Sequence, residues 1–366
     1  MPATLPLHDF WQLRAPHWQE DFGWLVPWHF GDWKREYQAA LNSLAVWDIS
    51  PRTTLVVAGK DRSTFLHNFC TNDIVRTGVG QGCEAFLTTA QAKILAWFHA
   101  FVEAETIYLD ADPGRGPIMI QHLSRYHITE EVSFQDLSGQ LAVLHWTGPR
   151  AQEKLARWLH VSSLPQQEHQ HIMITCGDQA VRVRQLRRLG QPGWDVVSPP
   201  GLARQLLEQV WDDNLCPLGY AAAEVLRIEA GWPVFGRDLD ETNLPQEVDR
   251  DELAISFTKG CYLGQETVAR IRAYGHVNRK LCGLRFNTAD SLPSGTRLFA
   301  PQPSASATSP AADIGRITSS ATSPRLGAAI ALAWLRRGYW QPGTVVLAVS
   351  PSGSVTATVC ALPFIA

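Results

Sequence analysis

From residue 280 to the C-terminus the apolar residues fall in six short, evenly spaced runs, at 280–286, 296–299, 314–319, 328–335, 344–349 and 355–362. Gly, Pro and Ser separate them, and none has the 3.6-residue spacing of a helix. Strands this short bury their apolar faces only by closing on one another. The pattern therefore predicts a small all-β barrel or sandwich over 279–366. A low-complexity stretch at 301–312, PQPSASATSPAA, predicts a loop within it.

Upstream of this tail, strand and helix patterns interleave. Strands are expected at 52–57, 85–87, 94–102, 106–109, 128–134, 141–146, 181–187 and 194–197. Helices are expected at 36–44, 61–70, 117–126, 149–159, 202–212 and 221–230. The alternation is not strict βα, so the fold class is α+β. The 366 residues are enough for two or three domains. The first 33 residues stand apart: Trp11, Trp18, Trp24, Trp28 and Trp33 lie among Gly and Pro. They predict an N-terminal arm that lays aromatic rings over the main body.

Charge and composition exclude several functions. With 32 basic and 35 acidic residues the net charge is −3, and 45% of the chain is apolar. That is too apolar for a disordered chain, and without a basic block it offers no duplex-binding surface. The longest apolar run, 328–335, is far short of the roughly 20 residues of a membrane span. No apolar core marks the first 18 residues as a secretory segment. A soluble, cytoplasmic protein is expected.

Seven cysteines, at Cys70, Cys83, Cys176, Cys216, Cys261, Cys282 and Cys360, form no C-x-x-C pair. The scatter is neither a disulfide framework nor a zinc pattern, and no metal-site motif occurs elsewhere. One of the seven differs. Cys261 sits in Lys259-Gly260-Cys261-Tyr262-Leu263-Gly264-Gln265-Glu266, followed by Arg270. Gly260 and Gly264 permit tight turns or the close approach of a ligand. Lys259, two residues away, would favour the thiolate, and Gln265 and Glu266 can open a helix. A thiol in that setting is nucleophilic, redox-active or a soft-metal ligand; the alternative is one more buried small hydrophobe.

A second segment runs Leu226-Arg227-Ile228-Glu229-Ala230-Gly231-Trp232-Pro233. A carboxylate there would accept two parallel N–H bonds from an amidine-like ring edge such as a pterin. The alternative is a salt bridge between Glu229 and a nearby Arg.

The octet K-G-C-Y-x-G-Q-E with Arg270 resembles the hallmark of the YgfZ family, folate-binding relatives of the glycine-cleavage T-protein. The segment 226–239 with Pro245 and Glu247, the stretch from Gly59-Lys60-Asp61-Arg62 to Thr71-Asn72-Asp73-Ile74, and Gly315-Arg316-Ile317-Thr318-Ser319 resemble segments shared across that superfamily. The resemblance implies a T-protein-like ring of two α/β-type domains plus a C-terminal small β-barrel. Residues 34–145 and 200–278 would make the folate-binding body, and 146–199 a second subdomain. It also implies tetrahydrofolate, or a one-carbon derivative, as cofactor, and a role in making or repairing iron–sulfur proteins, indirectly supporting tRNA modification. Partners would be iron–sulfur assembly machinery or client enzymes, without direct nucleic-acid contact. Cys261 and Lys259 match the working pair, with Gly260, Tyr262, Gly264, Gln265, Glu266 and Arg270 as supporting residues. Glu229 matches the glutamate that holds the pterin edge, beside Arg227. Trp194 and Trp232 are candidates for the rings that stack on the pterin.

One departure matters. Where the T-protein carries Gly-Gly and then acids, 88–96 reads Thr-Thr-Ala-Gln-Ala-Lys-Ile-Leu-Ala, without Asp or Glu. That weakens the alternative of a folate-dependent aminomethyltransferase, which needs a proton-handling group. A thiol enzyme pairing Cys261 with a distant His is a third reading. His67, His99 and His145 are expected to be core or groove residues.

Overall fold

The computed structural model describes residues 1–211, 214–301, 312–350 and 353–365. The loop expected at 301–312 lies, apart from its two ends, outside the described residues. The chain divides into two compact units. The first comprises 1–91, 95–223 and 252–265; the second comprises 92–94, 224–251 and 266–366.

The first unit is built on two sheets. The six-stranded sheet runs in the order His171–Cys176, Gln179–Leu186, Gly193–Ser198, Ala142–Thr147, Ala45–Asp48, Cys216–Leu218. Strands from both sides of the boundary expected at 145/146 therefore share one sheet. Leu144, Trp146, Val183 and Val196 pack with Leu155 and Leu207, from the helices Ala151–Trp158 and Pro200–Val210. The five-stranded sheet runs Gly82–Thr88, Ile94–Val102, Thr106–Ala111, Thr53–Ala58, Ser133–Asp136. Phe65 and Leu66 of helix Arg62–His67, and Met119 and Leu123 of helix Gly116–Ser124, complete its core.

Residues 1–33 form a helix, His8–Gln12, and a small sheet of Ala3–Thr4, Trp24–His29 and His17–Asp21. Phe10 and Trp11 are buried in the core of the six-stranded sheet. The Trp11 Nε1–H donates to Asp48 at 2.6 Å, and burial pushes the Asp48 carboxyl up.

A buried ionic layer joins the two sheets. Arg52 donates to Asp110 at 2.9 Å and to Asp112 at 2.6 Å. Arg188 bridges Asp110 at 2.6 Å and Asp195 at 2.7 Å, and His145 Nδ1 lies 2.7 Å from Asp195. Burial alone would raise the two carboxyls; the facing guanidinium groups outweigh it and hold Asp110 and Asp195 below their ordinary range.

In the second unit a closed barrel takes the order Arg279–Phe286, Ala328–Arg336, Asp313–Ser323, Arg297–Phe299, Val345–Ser350, Gly353–Cys360. Leu284, Ile317, Leu335, Val346 and Val359 fill it. All six expected strands are present, and the expected barrel is the observed one.

Three strands of the six-stranded sheet, Ala45–Asp48, His171–Cys176 and Cys216–Leu218, are not among those expected from the sequence, and two expected elements have other bounds. The helix expected at 61–70 ends at His67. The strand expected at 128–134 begins only at Ser133, because the Glu130 carboxylate accepts the N–H groups of Ile128 and Thr129 and curls the chain into a turn. No helix among the described residues is long and apolar enough to cross a membrane.

Removing one member of the ionic layer strands buried charge. Arg188→Met is expected to cost about 3–5 kcal/mol in urea unfolding. Because the folded carboxyls titrate below their unfolded values, the layer's contribution is present above the unfolded Asp value of about 3.9. It is lost as pH falls through the folded values.

Candidate functional site

Helix Arg62–His67 stops short and leaves carbonyls at its C-terminal end without helical partners. The Lys259 ammonium fills that gap. It is buried, and it donates to the carbonyls of His67, of Cys70 at 2.7 Å and of Asn72 at 2.9 Å. An ammonium has three N–H donors, and all three are engaged. The Nζ also lies 4.8 Å from the Tyr262 ring centroid. Burial lowers the Lys259 pKa and raises that of Tyr262.

Further bonds fix the same segment. The Thr71 hydroxyl donates to the Ala254 carbonyl at 2.6 Å, and Asn72 Nδ2 to that of Leu253 at 2.8 Å. The Ser256 N–H donates to Thr71 O, and the Leu263 N–H to Asn68 O, each at 2.9 Å. The Thr88 hydroxyl donates to the Leu263 carbonyl at 2.8 Å. Gly264 has φ +88°, a conformation that favours glycine; Gly260 is not in that region. Gln265 then opens helix Gln265–Tyr274, which carries Glu266 in its first turn and Arg270 further along.

On this loop Cys261 is exposed, alone among the seven cysteines. With Asn68, Phe69, Tyr126, Tyr262 and Leu263 it lines an open cavity of about 320 Å³. Among the described residues no hydrogen bond joins Lys259 to Cys261: the lysine holds the loop through backbone carbonyls. The imidazole facing the loop is His67. A Cβ placed on Gly260 would lie 3.8 Å from its Nε2, and its Nδ1 is 3.3 Å from Asp73. Burial lowers the His67 pKa, and the neighbouring Lys259 adds to that. Sequence spacing gave no reason to pair His67 with Cys261; the Thr71-Asn72-Asp73 run after its helix was the available signal.

The second candidate cluster lies in the other unit. Glu229 is fully buried; one carboxylate oxygen accepts from Ser323 Oγ at 2.5 Å, the other from Arg325 Nε at 3.0 Å. Arg227 donates to Glu224 at 2.9 Å, Asp238 at 2.7 Å and Ser319 Oγ at 2.6 Å. Its NH1 also reaches the Trp232 carbonyl at 3.2 Å. Arg227, Glu229 and Trp232 are thus neighbours at the end of helix Tyr220–Glu229. Trp194 belongs to the first unit, packed in the core of the six-stranded sheet, with its Nε1–H on the Pro165 carbonyl at 2.9 Å.

The fit to a pterin has two sides. A ring edge at Glu229 would have to replace Arg325, whose side chain is 34% exposed and able to leave. In the same unit Gln246 has a buried Oε1 with no donor among the described residues, an acceptor that a ligand N–H would satisfy. The turn at 89–93, where the carboxylates are missing, holds Ala92 at φ +59°. Lys93 there donates to the Thr242 carbonyl at 2.6 Å. No group of three His, Cys, Asp or Glu among the described residues could hold a metal ion.

Exposure separates the thiols chemically. In the folded protein iodoacetamide is expected to modify Cys261 in a fast phase that Cys261→Ala removes. Cys83 and Cys282, both pushed up to about 12 by burial, are expected to react only on unfolding. Peptide mapping after timed alkylation checks this, and equal labelling of several cysteines would contradict it.

Comparison with known proteins agrees with this architecture. The GCVT N-terminal domain family matches residues 7–259, and the glycine cleavage T-protein C-terminal barrel domain matches 279–365. A chloroplastic protein of Arabidopsis thaliana, provisionally named a transferase, is 30% identical over 70% of this chain; the match spans 59% of that protein's own length. An aminomethyltransferase of Nostoc is 25% identical, covering 86% of this chain and 82% of the relative. One from Chlorobium phaeovibrioides is 26% identical, covering 97% and 96%. The crystal structure of aminomethyltransferase T from Bartonella henselae superposes with a TM-score of 0.90 at 21% identity, covering all of this chain and 98% of that one, a likeness of fold. The chain therefore belongs to the GCVT family, with the T-protein fold and its closed six-stranded barrel at the C-terminal end.

Proposed function

We propose that this protein binds tetrahydrofolate and uses the Cys261 thiol in assembling or repairing iron–sulfur proteins. One observation carries the reading. Of seven cysteines only Cys261 is exposed, and it stands on a loop that a buried lysine and several backbone bonds hold in place. Inert structural thiols are usually buried. The thiol would serve as a transient ligand for cluster iron or as a sulfur carrier. Tetrahydrofolate would be held with its pterin edge at Glu229. The partners would be assembly proteins or client enzymes.

A second reading is favoured by the relatives. Those matching over most of their length are aminomethyltransferases, which supports folate-dependent one-carbon transfer. The turn at 89–93 holds no carboxylate for that chemistry. The buried Glu84 on the adjoining strand accepts from Trp97 at 2.8 Å.

The first of three measurements tests the folate binding that both readings share, and the other two separate them. Tetrahydrofolate titrated against Trp fluorescence is expected to bind wild type, and to bind Glu229→Ala about tenfold more weakly, the loss of a charged hydrogen-bond pair. Cys261→Ala in a deletion strain is expected to abolish support of iron–sulfur enzymes without loss of the fold. Full activity of that variant, together with methylene-tetrahydrofolate formation from an aminomethyl donor, would overturn the thiol reading in favour of transfer.

A further inference from the structure

Four arginines meet on one patch of the barrel unit. Arg279, Arg297, Arg316 and Arg336 line a cavity of about 230 Å³, together with Asp313, Trp334 and Leu335. The strand register puts them there. Arg279 is directly opposite Arg336, and Arg297 directly opposite Arg316, on paired antiparallel strands. Like charges placed opposite one another destabilise a sheet, so the arrangement costs stability unless counter-charge reaches it.

The protein's own carboxylates supply only part of that. Arg279 pairs with Glu247 at 3.1 Å, and Arg297 pairs with Asp313. Arg316 stands 3.9 Å from Asp240, at the limit of an ion pair. The Arg336 side chain is exposed and has no acceptor among the described residues. Among the described residues four guanidinium groups thus face three carboxylates, with one pair loose and one cation unmatched. Arg279 is also held against Trp334, its guanidinium carbon 5.2 Å from the ring centroid, which stiffens one wall.

We propose that this cavity is a binding site for a small, multiply charged oxyanion, bridged between Arg316 and Arg336. Guanidinium forks match the paired oxygens of phosphoryl and carboxylate groups alike. The proposed function assigns no role to these four arginines, so the site stands or falls independently of it.

Isothermal titration with pyrophosphate and, separately, with citrate tests it on the full-length protein. Wild type is expected to bind at least one of the two; which one binds tells whether phosphoryl or carboxylate groups are preferred. Arg336→Gln is expected to weaken binding about tenfold, and Arg316→Gln with Arg336→Gln to abolish it. Both side chains are exposed, so a thermal melt should remain as in wild type. Asp313→Asn releases Arg297 from its carboxylate and is expected to tighten binding. Binding of neither anion by wild type would overturn the proposal. So would undiminished binding by the double variant, or Asp313→Asn that fails to tighten it.

Discussion

The three hydrogen bonds from the Lys259 ammonium to the carbonyls of His67, Cys70 and Asn72 decide where the distinctive segment of this chain sits. A helix that ends early exposes carbonyls and the negative end of its dipole. A buried lysine that meets them satisfies both partners at once, at the desolvation cost seen in its lowered pKa. The segment it holds is part of residues 252–265, which belong to the first unit although the chain on either side of them belongs to the second. Cys261 is exposed because this clamp holds the backbone on either side of it while its own side chain is left outside.

That arrangement changes how the Lys259–Cys261 pair is understood. Nearness in sequence suggests a cation lowering a thiol pKa. The geometry gives the cation another task, to fix the loop, and leaves His67 with Asp73 as the ionisable pair beside it. The Glu229 cluster follows similar logic. A carboxylate that resemblance assigns to a pterin edge is held by Ser323 and Arg325, and the arginine's exposure leaves open an exchange with a ligand.

Much of the fold was legible in the sequence. The barrel strands were readable because each alternates or runs apolar between Gly, Pro and Ser, a pattern that needs no knowledge of partners. The strand at Ile94–Val102 was read to the residue. Others were not readable. His171–Cys176 is a half-exposed edge strand with a weak apolar signal, and 128–132 turns because of a carboxylate two residues away. The octet stood out by its residue types, but the bonds that define it span 187 to 192 residues. The partners of Glu229 lie 94 and 96 residues away. A single sequence records which residues carry chemistry; it does not record which backbone carbonyl a lysine will find.

The clamp itself can be tested without reference to any activity. Backbone amide exchange at Leu263, whose N–H is bonded to Asn68, should be slow in wild type and should accelerate strongly in Lys259→Met, with the barrel strands unchanged. Leu263 exchange that is the same in the two proteins would contradict the account, because the loop would then keep its form without the lysine that is held to build it.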